Sequence, residues 1–237
     1  MHTEKNTSNS TKVYGQRDST VFHLLIFLLL VVPFYLNDFA NIFINDWRLW
    51  LLIDYIGLKL FPIMIILWLV LSSRMQVGEL GIRKQGIGPF IALFVAVAFV
   101  GTFIDQNGYQ VIEDLPGYSP LGGMPPIDNA SWDWFDLTVG LFLVGVVEEL
   151  VFRGYMLNLL QRFTNNTVVI VVLSAIVFGL IHWSLGFHSV LVTAIIGAVF
   201  MFAYIKTKAL LPIMLAHFAV NFIDFAGVIP KSIFKII

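Results

Sequence analysis

Glu148, Glu149 and Arg153 stand within a run from Asp136 to Arg162 that is otherwise mostly apolar. If that run crosses a bilayer as a helix, each ionisable group near its centre costs roughly 2.5–3.5 kcal/mol. Such groups turn towards the protein interior and mark a site for catalysis or transport. The remaining helices therefore have to pack so that this face is covered.

Composition supports the membrane reading. Only 12% of the 237 residues are charged and 58% are hydrophobic, whereas a soluble domain carries about 25% charged residues. The chain lacks the polar residues to cover a soluble surface. It has room for about seven spans of ~20 apolar residues each. We expect an all-α, polytopic membrane bundle with an intramembrane polar site. A net charge of −1 gives no case for nucleic-acid binding. The absence of cysteine excludes disulfides, thiol catalysis and thiolate metal sites.

Three regions are expected in a single membrane domain. Residues 1–20 are a polar, disordered tail and not a cleaved signal peptide. Residues 21–134 hold three spans, at about 21–36, 49–71 and 87–104, and an acidic loop. Residues 135–237 hold four more, at about 136–162, 168–183, 187–205 and 210–228. Asn37 to Arg48 reads as a polar turn. Asp54 and Lys59 place the first half of span two at an interface or against other helices. The loop from Asp105 to Trp134 carries Pro116, Pro120, Pro125 and Pro126. A lid and a solvated tether both fit a loop of that length, the tether being the plainer reading. Lys5, Lys12, Arg17, Arg74, Arg83, Lys84, Arg162, Lys206 and Lys208 fall on one side of these spans. The positive-inside rule then puts the N-terminus in the cytoplasm. The expected location is a bacterial cytoplasmic membrane.

On span four, about 100° of helix separates adjacent residues, so Glu148 and Glu149 leave the helix in different directions. Glu149 and Arg153 are four apart and share a face. That leaves Glu148 without a local partner and makes it the carboxylate for chemistry. Phe178 and His182 are four apart on span five, and His217 and Asn221 on span seven. At about 1.5 Å per residue, Glu148, His182 and Asn221 lie roughly 20 Å from the inner ends of their helices. Arg153 and His217 lie roughly 13 Å from them. Agreement in depth points to one site. A carboxylate with an imidazole can deprotonate a water that attacks a carbonyl. A second histidine and an asparagine amide can support the oxyanion. The same side chains Glu148, His182 and His217 also offer a zinc ligand set, and spacing alone leaves both routes open.

Glu-Glu-x-x-x-Arg at 148–153, Phe-x-x-x-His at 178–182 and His-x-x-x-Asn at 217–221 follow one another on successive apolar helices. In that order they resemble the CPBP intramembrane proteases, the group of type II CAAX prenyl endopeptidases and the bacterial proteins called Abi. The resemblance covers about 140–222. It implies a helical membrane fold enclosing an endopeptidase site. By motif, Glu148 and His182 would activate water. His217 and Asn221 would complete the site, with Asn221 on the oxyanion, and Glu149 and Arg153 would support it. Members were first described as metalloproteases; a glutamate-dependent route without metal or other cofactor is the one expected here, with zinc as the alternative. The partners implied are a membrane-associated protein or peptide substrate and the lipid bilayer. A non-catalytic scaffold or bacteriocin-immunity protein on the same fold is the competing reading. A proton-coupled transporter is a third, and nothing in the sequence shows its paired discontinuous helices.

Overall fold

The computed structural model of the chain describes residues 18–229. The tail expected at 1–20 lies outside the described residues as far as residue 17. The described residues form seven helices and no strand. These are α1 (Thr20–Phe43), α2 (Trp47–Leu71), α3 (Ile87–Ile112), α4 (130–160), α5 (Thr167–Leu180), α6 (Phe187–Thr207) and α7 (Leu210–Ala226). Helices α1, α2, α3 and α6 are each long and apolar enough to cross a membrane; α5 and α7 are shorter apolar helices. Their outward faces are hydrophobic, as at Leu25, Leu28 and Val32 of α1 and Val95 and Phe99 of α3. The buried set includes Glu148, Glu149, Arg153 and His217. Apolar residues outside and charges inside are what a bilayer selects, and the chain is an integral membrane protein.

Local chemistry sets the helix ends. Ser19, Asp46, Asn129 and Asn166 cap α1, α2, α4 and α5 by accepting first-turn backbone N–H groups, worth about 1 kcal/mol each. Gly227 ends α7 in the left-handed conformation, the usual glycine role beyond a helix. Three stretches widen to π-helix: Tyr55–Leu60 in α2, and Asp136–Gly140 and Leu150–Tyr155 in α4. The first precedes Pro62, which has no N–H to give. The last follows Glu148 and Glu149 directly, and such widened turns recur at functional sites.

Several expected boundaries move, with α4 starting at Ala130 and not 136 and α5 ending at Leu180 and not 183. Helix α1 does not stop at residue 36, and α3 continues past 104 to Ile112. Asn37 to Phe43 is helix and not a polar turn. The reason is that Asn37 and Asp38 are buried and Asp38 and Asn41 have partners inside the bundle. Helical spacing carries the buried face straight through: Phe27, Leu30, Val31, Phe34, Asn37 and Asp38.

Helix α7 packs along α3 and α4, while α5 pairs with α6. Gly145 sets the α4–α7 approach. A Cβ there would lie 2.9 Å from Met214 O and 3.0 Å from the Phe218 backbone nitrogen, so backbone would have to move. Gly145→Ala is expected to cost about 1–3 kcal/mol and to move His217 away from α4. Thermal unfolding in detergent measures the cost. Gly57→Ala is the control, since its Cβ would meet nothing within 4 Å; equal stability of the two variants would refute this account.

Candidate active site

Fully buried Glu149 and Arg153 form an ion pair at 3.0 Å across the π-helical turn of α4. The guanidinium lies 4.1 Å from the centre of the Phe178 ring and 5.3 Å from that of Phe200. Those rings, from α5 and α6, also meet His217 edge-on at 6.1 and 5.7 Å between centres. Arginine is thus held by one carboxylate and two ring faces, an arrangement in which the cation–π attraction is strengthened by desolvation.

His217 reaches across from α7 to both glutamates. Its Nδ1 is 2.8 Å from Glu149 Oε1, a hydrogen bond, and its Nε2 is 3.6 Å from Glu148 Oε2. A carboxylate on one ring nitrogen fixes the orientation of the other, so Nε2 is aimed at Glu148. The difference in helical direction between the two glutamates does not keep them apart. Their side chains are long enough to approach one imidazole from both sides once Gly145 lets the helices close. The depth reading placed Glu148 level with His182 and Asn221 and one level away from His217. In the structure its contact is with His217, and the two levels form one cluster.

Glu148 Oε2 is buried and without a hydrogen-bond partner. It faces a cavity of about 220 Å³ whose wall also includes His182, His217 and Asn221. His182 is not on α5 as its four-residue spacing from Phe178 suggested. It stands in the turn after the helix, with φ −103° and ψ 25°, and its Nδ1 lies 3.2 Å from Phe178 O. With Nδ1 donating to that carbonyl, Nε2 is left to accept. Asn221, half-buried, lies one turn beyond His217 on α7. All six expected site residues thus fall in one region: four on the cavity wall, and Glu149 and Arg153 behind it.

Glu148, His182 and His217, the zinc set suggested by the sequence, are not gathered as ligands. Among the described residues no three His, Cys, Asp or Glu side chains are placed to hold a metal ion. His217 gives Nδ1 to Glu149 and turns Nε2 towards Glu148.

Sequence reasoning missed the groups that hold the His182 turn. Asp38 Oδ2 accepts from Ser184 N at 2.6 Å, and Asn41 Nδ2 donates to Ser184 Oγ at 3.0 Å. Trp50 Nε1 in turn donates to Asn41 Oδ1 at 2.8 Å. The signal was the buried stripe of α1 running on into Asn37 and Asp38. The acidic loop is also no solvated tether. Leu121 N bonds to Ser184 O, Tyr118 OH to Trp183 O, and Gly123 N to Asn41 O. Met124 reaches the cavity wall. The loop is strapped over the turn that carries His182. Asp54 and Lys59 form a buried ion pair that lines the same cavity.

No curated protein and no solved structure matches the chain. The family model for type II CAAX prenyl endopeptidase, Rce1-like, matches residues 130–223, from the start of α4 to α7. That segment holds Glu148, Glu149, Arg153, His182, His217 and Asn221, and it is similar to the type II CAAX prenyl endopeptidase Rce1-like family.

Proposed function

We propose that the chain is an intramembrane endopeptidase that hydrolyses a peptide bond of a membrane-associated protein or peptide with water activated by Glu148. The observation that carries this is the placement of Glu148. Its Oε2 is buried, unpartnered and open to the cavity, and 3.6 Å away lies an imidazole that Glu149 orients. Water bound there gives a proton to Glu148 while its oxygen adds to the scissile carbonyl. The Asn221 amide donates to the oxyanion, and His182 Nε2 accepts a hydrogen bond from the attacking water. Glu148 then returns the proton to the departing amine, and the C–N bond breaks. Glu149 and Arg153 act through His217 by fixing its ring. No step is routed through a metal.

The N-terminus is assigned to the cytoplasm. The contacts of Arg74 and Arg162 with Asp18 gather the basic ends of α2 and α4 at the start of α1, in keeping with the positive-inside rule.

A comparison of peptide termini in membranes bearing the wild type or Glu148→Ala tests the reading. New termini that vanish in the variant, and that persist after treatment with a chelator, are the expected result. Identical termini, with the variant still complementing a deletion, would replace the protease by a non-catalytic scaffold or immunity protein.

A further inference from the structure

The cavity extends well beyond Glu148, towards the end of the bundle where α1 finishes and α2 and α4 begin. Its wall there carries Asn37 and Asp38 from α1, Asp54 and Lys59 from α2, and Asp136 from α4. Asp54 is neutralised by Lys59. Asp38 and Asp136 have only neutral donors: Ser184 N and Asn41 for the first, the Tyr55 hydroxyl at 3.0 Å for the second. A second observation is independent of this charge. Asn37 is 8% exposed, and its side-chain oxygen is buried without a partner. Of the buried side-chain atoms without partners, those on residues of the cavity wall are Asn37 Oδ1 and Glu148 Oε2. Both are acceptors. This part of the cavity is short of hydrogen-bond donors and long in negative charge.

From this we infer that the wall formed by Asn37, Asp38 and Asp136 is a subsite for a cationic, donor-rich group of the substrate: a lysine or arginine side chain, or an N-terminal ammonium. The assignment rests on the endopeptidase reading for its place in catalysis, but the binding of a cation does not. An ammonium or guanidinium supplies the donor that Asn37 lacks and the charge that Asp38 and Asp136 lack. The distance to the reacting bond follows from the helix. Asp136 precedes Glu148 by twelve positions, about 18 Å at ~1.5 Å per residue. An extended peptide covers that length in about five residues at ~3.3 Å each. Asp136 therefore sets an outer limit of about five residues between the cation and the scissile bond, and Asp38, bonded to Ser184 two positions after His182, stands nearer to it.

The test uses the full chain in nanodiscs and two probes of one shape, butylguanidinium and neutral butylurea. Butylguanidinium is expected to raise the unfolding temperature and butylurea to leave it unchanged. Asn37→Leu combined with Asp136→Asn should weaken butylguanidinium binding at least tenfold, while Glu148→Gln retains it. Equal shifts from both probes, or none from butylguanidinium to the wild type, overturn the subsite. The second measurement is the position of basic residues around any Glu148-dependent cleavage. A synthetic peptide of that site, with its basic residue replaced by norleucine or its N-terminus acetylated, separates the two sources: loss of cleavage on either change identifies that cation, and cleavage unaffected by both overturns the proposal. If butylguanidinium binds and no cleavage is found, the subsite stands and the protease reading falls.

Discussion

Arg153→Met is expected to destabilise the folded protein by about 3–5 kcal/mol, the cost of removing one partner from a buried ion pair. The argument is one of charge, since methionine keeps much of the volume. Glu149 is fully buried and its cationic neighbour is Arg153, with His217 as its other contact. Without the guanidinium, the carboxylate is left with an imidazole alone, and the faces of Phe178 and Phe200 lose the cation between them. The double variant Arg153→Met with Glu149→Gln removes both charges, and replacing a buried pair by neutral groups is often close to neutral. It should therefore recover more than half of the loss. Denaturant unfolding in detergent measures both. Unchanged stability of Arg153→Met would dismiss the pair as a structural element. Failure of the double variant to recover would move the role of Arg153 from charge to packing against the two rings.

Much of this arrangement was legible in the residues because hydrocarbon is an unforgiving solvent. An ionisable group in an apolar helix has to face protein, so Glu148, Glu149, Arg153 and His217 could be assigned to the interior before any packing was known. The i,i+4 rule gave the Glu149–Arg153 pair, which the structure forms. What the rule could not give was the meeting of α4 and α7. That depends on a close approach at Gly145, one small residue among many in an apolar run. Depth arithmetic assumed straight, untilted α-helices. Helix α4 contains two π-helical stretches, and long side chains erase a difference of one turn. His182 escaped the helix because its turn is held from outside, by Asp38 and Asn41 of α1. Those two residues lie in the stretch from Asn37 to Arg48, whose polarity resembles that of a turn. The membrane makes such polarity informative in the opposite sense: a buried Asp on an apolar helix has a partner, and here the partner is Ser184 in the turn that carries His182.

Glu148→Gln separates chemistry from structure more cleanly than any other single change, and it is expected to move the two in opposite directions. Glutamine keeps the shape and an acceptor oxygen but cannot take a proton. Loss of general acid–base catalysis is worth about 10²–10⁴ in rate, or roughly 3–5 kcal/mol of barrier. Single-turnover cleavage of the substrate identified from the termini comparison should fall by that factor, with little change in substrate binding. Stability should not fall with it. In the native protein Glu148 Oε2 is buried with no hydrogen-bond partner, and a neutral amide there is less costly to bury than a carboxylate. The Glu149–Arg153 pair and the Nδ1 hydrogen bond of His217 do not involve Glu148. Glu148→Gln is therefore expected to be as stable as the wild type or more so. Full activity in this variant would remove Glu148 from the reaction. Inactivity coupled to unfolding would make it a structural carboxylate like Glu149. Inactivity with stability kept or raised is what a catalytic group held buried without a hydrogen-bond partner produces, because such a group is retained at the expense of the fold that carries it.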